Sequence, residues 1–91
     1  MLKVVRSNRF ERDVKRAVKR NLDISKLAKV IDMLAEQKEL PAKYKDHALT
    51  GNWKGCRDCH IEPDWVLIYK INHNKLLLNL LRTGTHSDIL D

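Results

Sequence analysis

The residues able to do chemistry are concentrated in one stretch and a short segment near the C-terminus. Tyr44 to Trp65 holds two of the four histidines (His47, His60), three aspartates (Asp46, Asp58, Asp64), both tryptophans and both cysteines, and His86 follows Arg82-Thr83-Gly84-Thr85. Three imidazoles, an aspartate and an arginine suit metal-free cleavage of RNA. That reaction needs a base to take the 2′-hydroxyl proton, a cation to stabilise the phosphorane and an acid to protonate the leaving 5′-oxygen. Histidine, with an ordinary pKa of about 6.5, serves both proton transfers at neutral pH. No glycine-rich phosphate loop, Ser-His-Asp order or carboxylate cluster for magnesium is present in the sequence, so neither a metal nor another cofactor is expected.

Cys56-Arg57-Asp58-Cys59-His60 spells the C-x-x-C-H haem attachment string. The chain begins with charge too early and too dense for an export signal, and a strand across this segment would turn residues three apart to opposite faces. Cys56 and Cys59 then neither chelate one ion nor bridge, and reduced thiols in a cytoplasmic protein are expected.

The same parity places Cys56, Asp58 and His60 on one strand face. A turn at Glu62-Pro63 would bring His60 near Asp64, as an aspartate–histidine pair or as a turn aspartate capping its own backbone; the sequence leaves both open. His47 follows Asp46 in a loop, and His86 sits where the last strand ends. Arg82 ends an otherwise apolar strand, so its guanidinium should emerge beside His86 as a phosphate clamp. Trp65 offers either a face on which a base can stack or a core ring opening an apolar strand. His73, in an Asn-His-Asn turn, is excluded.

Scaffold patterns flank this stretch. Leu2 to Arg6 reads as a strand, and Asn8 with Glu11 as a helix start. Phe10, Val14, Ala17 and Val18 form one helical face, and Arg9, Arg12, Arg16 and Lys19 or Arg20 a basic stripe on the other. Asp23 caps a second helix whose apolar positions Ile24, Leu27, Ile31 and Leu34 run to near Lys38. Trp65 to Ile71 and Lys75 to Arg82 are apolar on nearly every residue, a hairpin covered on both faces, with Ser87 to Asp91 as a short tail. The order is β-α-α-β-β-β: an α+β domain spanning residues 1–91, with a small, mostly antiparallel sheet and two N-terminal helices packed on one face.

The composition (43% hydrophobic, 33% charged) fits a globular domain, and no run of about 18 apolar residues suggests a membrane span. The net charge is 18 − 12 = +6, with eight basic residues before position 21. This draws the protein to polyanions, or to an acidic partner covering the basic helix.

Five blocks in order then carry a resemblance: Tyr44-Lys45-Asp46-His47, Leu49 to Gly55, Arg57-Asp58-x-His60, Glu62-Pro63-Asp64-Trp65 running on to Lys70, and Arg82-Thr83-Gly84-Thr85-His86. Together with the two helices they resemble the YafQ branch of the RelE toxin superfamily across nearly the whole chain. The resemblance implies a ribosome-dependent mRNA endoribonuclease, the toxin of a type II toxin–antitoxin pair. Such a toxin enters the ribosomal A site and cuts with the 2′-hydroxyl as nucleophile. It implies His47, His60, Asp64 and His86 as catalytic, Trp65 and Arg82 near the substrate, and a cognate acidic antitoxin as partner, with DNA met only through the antitoxin complex. His47 or His60 would be the base, His86 the acid and Asp64 the orienting carboxylate. Leu90 stands where the family carries an aromatic residue. The alternative is a non-catalytic RNA-, ribosome- or antitoxin-binding module of the same fold.

Overall fold

The structure is a computed structural model that describes residues 1–89; Leu90 lies outside them. Strand β1 (Lys3–Arg6), helix α1 (Asn8–Lys19) and helix α2 (Ile24–Ala35) open the chain. After a 3-10 turn at Ala42–Tyr44 come β2 (His47–Ala48), a second such turn at Gly51–Trp53, β3 (Arg57–Glu62), β4 (Trp65–Asn72), β5 (Leu77–Gly84) and a short helix α3 (His86–Ile89). The five strands form one sheet in the order β1-β5-β4-β3-β2. Among the described residues, only β1 and β5 pair in parallel. The α+β architecture is the expected one, with two additions: a two-residue strand at His47, read from the sequence as loop, and a helix where a tail was expected.

Local chemistry sets the boundaries. Ser7, not Asn8, caps α1, accepting the Phe10 N–H at 3.0 Å while donating to the Leu81 carbonyl at 3.0 Å. A hydroxyl can do both, which ties the helix start to the sheet. Asp23 caps α2 as expected, through the Ser25 N–H. That helix stops at Ala35 rather than near Lys38 because Gln37 turns into the left-handed region (φ 58°). The Gln37 and Lys38 N–H groups then bond back to Leu34 and Met33, which satisfies the terminal carbonyls.

Alternation along the strands divides the sheet into two faces. On one, Cys59, Ile61, Trp65, Leu67, Tyr69, Leu78 and Leu80 share a core with Phe10 and Ala17 of α1 and with Leu27, Val30, Ile31 and Leu34 of α2. Val18, expected on the α1 stripe, is exposed. In its place the buried edge of α1 carries a carboxylate, Asp13. On the other face, cross-strand partners line up as His47–Asp58–Ile68–Arg82, and beside them His60–Val66–Gly84. Partners in register present side chains to the same side. Val66, Leu67 and Ile68 of the central strand are fully buried, so both faces are covered, one by helices and one by polar groups.

An irregularity in β5 arranges the second face. Tyr69 pairs with Leu80 but Ile68 pairs with Arg82, leaving Leu81 as an extra residue. Beyond Leu80, β1 has ended, and α1 side chains take over the strand edge. The Leu81 carbonyl goes to Ser7, and the Thr83 N–H goes to Asp13 at 3.1 Å.

Candidate active site

The second face brings the three histidines together. The His60 ring lies in the middle, 6.4 Å from His47 and 5.1 Å from His86, centroid to centroid. Each comes from a different element: His47 from β2, His60 from β3 and His86 from the start of α3. Val66, the cross-strand partner of His60, supplies an apolar floor.

The two outer rings are held by their Nδ1 atoms. His47 Nδ1 is 2.7 Å from the Lys45 carbonyl. A carbonyl only accepts, so Nδ1 carries the hydrogen and neutral His47 presents a bare Nε2. The supporting loop is fixed by Asp46, whose Oδ1 accepts from the Tyr69 hydroxyl at 2.5 Å and from Arg57 Nε at 3.2 Å. Burial first, and then this hydrogen bond, pushes the Tyr69 hydroxyl pKa up, so it remains a donor. His86 Nδ1 sits 2.8 Å from Asp64 Oδ1, which also accepts the His86 backbone N–H at 3.2 Å. The bond from the ring, then that from the backbone, holds the Asp64 carboxyl below its ordinary range. The turn at Pro63-Asp64 therefore gives its carboxylate to His86, and neither of the two readings the sequence left open, a His60 pair or a cap of its own turn, describes it.

Asp58 is a site residue that sequence reasoning placed on the right face but gave no role. It is 1% exposed. Its Oδ1 is 3.1 Å from His47 Nδ1, yet that ring hydrogen points to Lys45, and Oδ1 receives no hydrogen bond among the described residues. Burial is the largest influence on its carboxyl and pushes the pKa up, against the opposing pull of all three imidazoles. The signal in the sequence was its spacing of two from His60.

Trp65 takes the core reading of the two that the sequence left open, and Arg82 lies otherwise than expected. Trp65 is 2% exposed on the helix-covered face, and its Nε1 donates to Thr83 Oγ1 at 2.9 Å. The open stacking face is corrected to a core ring, because odd-numbered residues of β4 turn toward the helices. Arg82 is on the histidine face but 8% exposed, not emerging at the sheet end. Its Nε and Nη2 donate to the two Asp13 oxygens at 2.7 and 3.1 Å. The hydrogen bond it donates to Asp13 raises its pKa despite burial. The missed partner was legible as a carboxylate on an apolar stripe, three residues after Phe10 and four before Ala17.

His60 also walls a cleft of about 460 Å³ whose rim carries Lys26, Lys29, Lys43 and Lys45. Lys26 is engaged by Glu62 at 2.8 Å. The site thus opens into a basic groove suited to a phosphate chain. Cys59 is fully buried, which raises its thiol pKa, and Cys56 is a half-buried free thiol. Among the described residues, no group of three His, Cys, Asp or Glu side chains has metal-binding geometry, and no helix is long and apolar enough to cross a membrane.

Comparison with known proteins agrees in fold and sequence. The family described as "Bacterial toxin of type II toxin-antitoxin system, YafQ" matches residues 2–91. The mRNA interferase toxin YafQ of Escherichia coli K12 is 50% identical over 82 residues, covering 89% of this chain and 87% of that protein. The crystal structure of YafQ from E. coli BL21(DE3) superposes with a TM-score of 0.93 at 43% identity, covering all of both chains. The toxin in the E. coli DinJ–YafQ complex superposes at 0.90 with 44% identity, again over both full chains.

Proposed function

Given that the chain belongs to the YafQ family of bacterial toxins of type II toxin–antitoxin systems, we propose that it is an mRNA interferase that cuts by metal-independent acid–base catalysis. The observation that carries this reading is the row of three imidazoles centred on His60, with both outer rings fixed through Nδ1.

His47 or His60 takes the 2′-hydroxyl proton. His47 suits the task because its Nε2 is bare in the neutral ring. The freed oxygen attacks the adjacent phosphorus, a 2′,3′-cyclic phosphate forms and the bond to the 5′-oxygen breaks. His86 delivers a proton to that leaving oxygen through Nε2. The Asp64 carboxylate fixes the ring and balances its charge while it carries two protons. Asp58, buried next to His47, compensates positive charge on the imidazoles as the base becomes protonated. Arg82, on the same sheet face through its pairing with Ile68, contributes positive field, while its direct partner is Asp13.

The lysine-rimmed cleft beside His60 supports RNA as the substrate. Lys29, Lys43 and Lys45 on this groove, with Lys26 held by Glu62, attract a phosphate backbone through counterion release. We assign cutting to message in the ribosomal A site of the cytoplasm, and inhibition to a cognate antitoxin whose acidic segment lies on the Arg9, Arg12 and Arg16 face of α1 and covers the histidines. The E. coli relative is found in complex with the antitoxin DinJ.

Inducible expression with primer extension on a reporter message tests the reading. Growth arrest with cuts in the reading frame is expected; normal growth with intact message overturns it. A 2′-deoxyribose at the scissile nucleotide should block cutting, and persistent cutting would point to attack by water. Cutting of naked RNA at the same rate as ribosome-bound message would remove the ribosome from the proposal.

A further inference from the structure

His86 sits at the head of α3, a helix of four residues with no buried side chain. So short a helix has little stability of its own. The Asp64 contact alone is weak support, because the Asp64 side chain is 71% exposed and exposed pairs of this kind hold little. The element nonetheless places His86 5.1 Å from His60.

A second carboxylate in α3 is much better held. Asp88 is 16% exposed at its side chain, and its Oδ2 accepts from Arg20 Nη1 at 2.7 Å. Oδ1 lies 3.6 Å from Arg16 Nη1. Oδ2 also accepts the Thr85 N–H at 3.1 Å, and Thr85 Oγ1 accepts the Asp88 N–H at 3.2 Å. Gly84 leaves room for this arrangement, since a Cβ there would come within 3.0 Å of Asp88 Oδ2. Thus α1, whose own position is fixed by Phe10, Ala17 and Asp13, reaches the end of the sheet and grips the segment that bears His86.

We propose that Asp88, gripped by Arg20 and Arg16, is a positioning residue that latches α3 to α1 and so holds His86 beside His60 for proton transfer. It touches neither substrate nor reacting atoms. This inference rests on the acid role given to His86 above. The basic face of α1 thereby has a duty inside the molecule in addition to any partner it meets.

The test compares wild type, Asp88→Ala, Arg20→Ala, their double variant and Arg20→Lys, in the full chain. Backbone ¹⁵N relaxation at 85–89 should fall from an order parameter of about 0.85 to below about 0.6 in Asp88→Ala and Arg20→Ala, with β4 unchanged. In cleavage of programmed ribosomes, kcat should drop about 10- to 100-fold in each single variant while KM stays within about twofold. The double variant should be no worse than Asp88→Ala, and Arg20→Lys should recover most of the rate. Order parameters that stay high in Asp88→Ala overturn the latch. So does a loosened α3 with unchanged kcat, or a loss that is additive in the double variant. If wild type itself cuts no message, the nuclease reading fails, while relaxation still decides whether Asp88 holds α3.

Discussion

The two faces of the β3–β4–β5 sheet are built from alternating residues of the same strands, yet they follow opposite rules. Cys59, Trp65, Leu67 and Leu80 bury apolar surface under two helices. Asp58 and His60, one position away, and Arg82, turned to the same side by the extra residue at Leu81, bury or half-bury ionisable groups. The first face gains stability from burial at about 1.5–3 kcal/mol per large side chain. The second gives some up, because Asp58 Oδ1 is buried without a hydrogen bond. One sheet can do both since its side-chain period is two, and β4 sits centrally enough for each side to be covered.

The largest separation between the faces should come from His86→Gln. Loss of a positioned acid should lower kcat by about 10²- to 10⁴-fold, with a melting temperature within a degree or two of wild type. An equal fall in melting temperature would show that His86 is structural. Leu67→Ala should do the reverse, costing about 4 kcal/mol in denaturant unfolding, while the molecules still folded at low temperature retain their kcat. Asp13→Ala tests where the faces meet. It strands the Arg82 guanidinium and leaves the Thr83 N–H without its acceptor, and should cost about 3 kcal/mol. An unchanged unfolding midpoint would mean that the pair carries no structural weight.

Asp58→Asn is the sharpest probe of the trade. Removing a buried charge should raise stability by about 1 kcal/mol at neutral pH, while cutting slows. A loss of stability would show that the carboxylate is compensated after all.

The smallest effects are in pH dependence. Asp88 is pulled down to about 2, chiefly by the Arg20 hydrogen bond, and Asp64 is lowered as well. Their contribution is complete above the ordinary carboxylate value of about 4 and is lost as pH falls through their folded-state values. Asp58, displaced upward, acts in the opposite sense. Its protonated form is favoured by the fold, so stability falls as pH rises from about 4 through its folded-state value. Chemical unfolding between pH 2 and 7 should therefore show Asp88→Asn flattening the acid limb and Asp58→Asn flattening the upper one. Unaltered limbs would reject these assignments.

Much of this was readable in advance, for a definite reason. Apolar spacing placed α1, α2, β4 and β5, and the five motif blocks led to the family. What misled was the environment of single residues. Trp65 borders a motif rich in chemistry, but its parity along β4 points it at the helices. Arg82 ends the apolar run in the sequence, but β5 continues to Gly84, and the extra residue at Leu81 lets α1 present Asp13 to it. Asp64 is four residues from His60, and pairs instead with His86 across the sheet end, 22 residues away.

The order of residues by itself determined the periodicities, the charge and the identity of the groups available for chemistry, because these depend only on neighbours along the chain. Tertiary structure alone decided that His60 stands between His47 and His86, that Asp58 is stranded in the interior and that Asp88 is gripped by α1. Those outcomes depend on strand register and on one irregularity in β5. Their energies arise between groups tens of residues apart, where no local pattern records the distance.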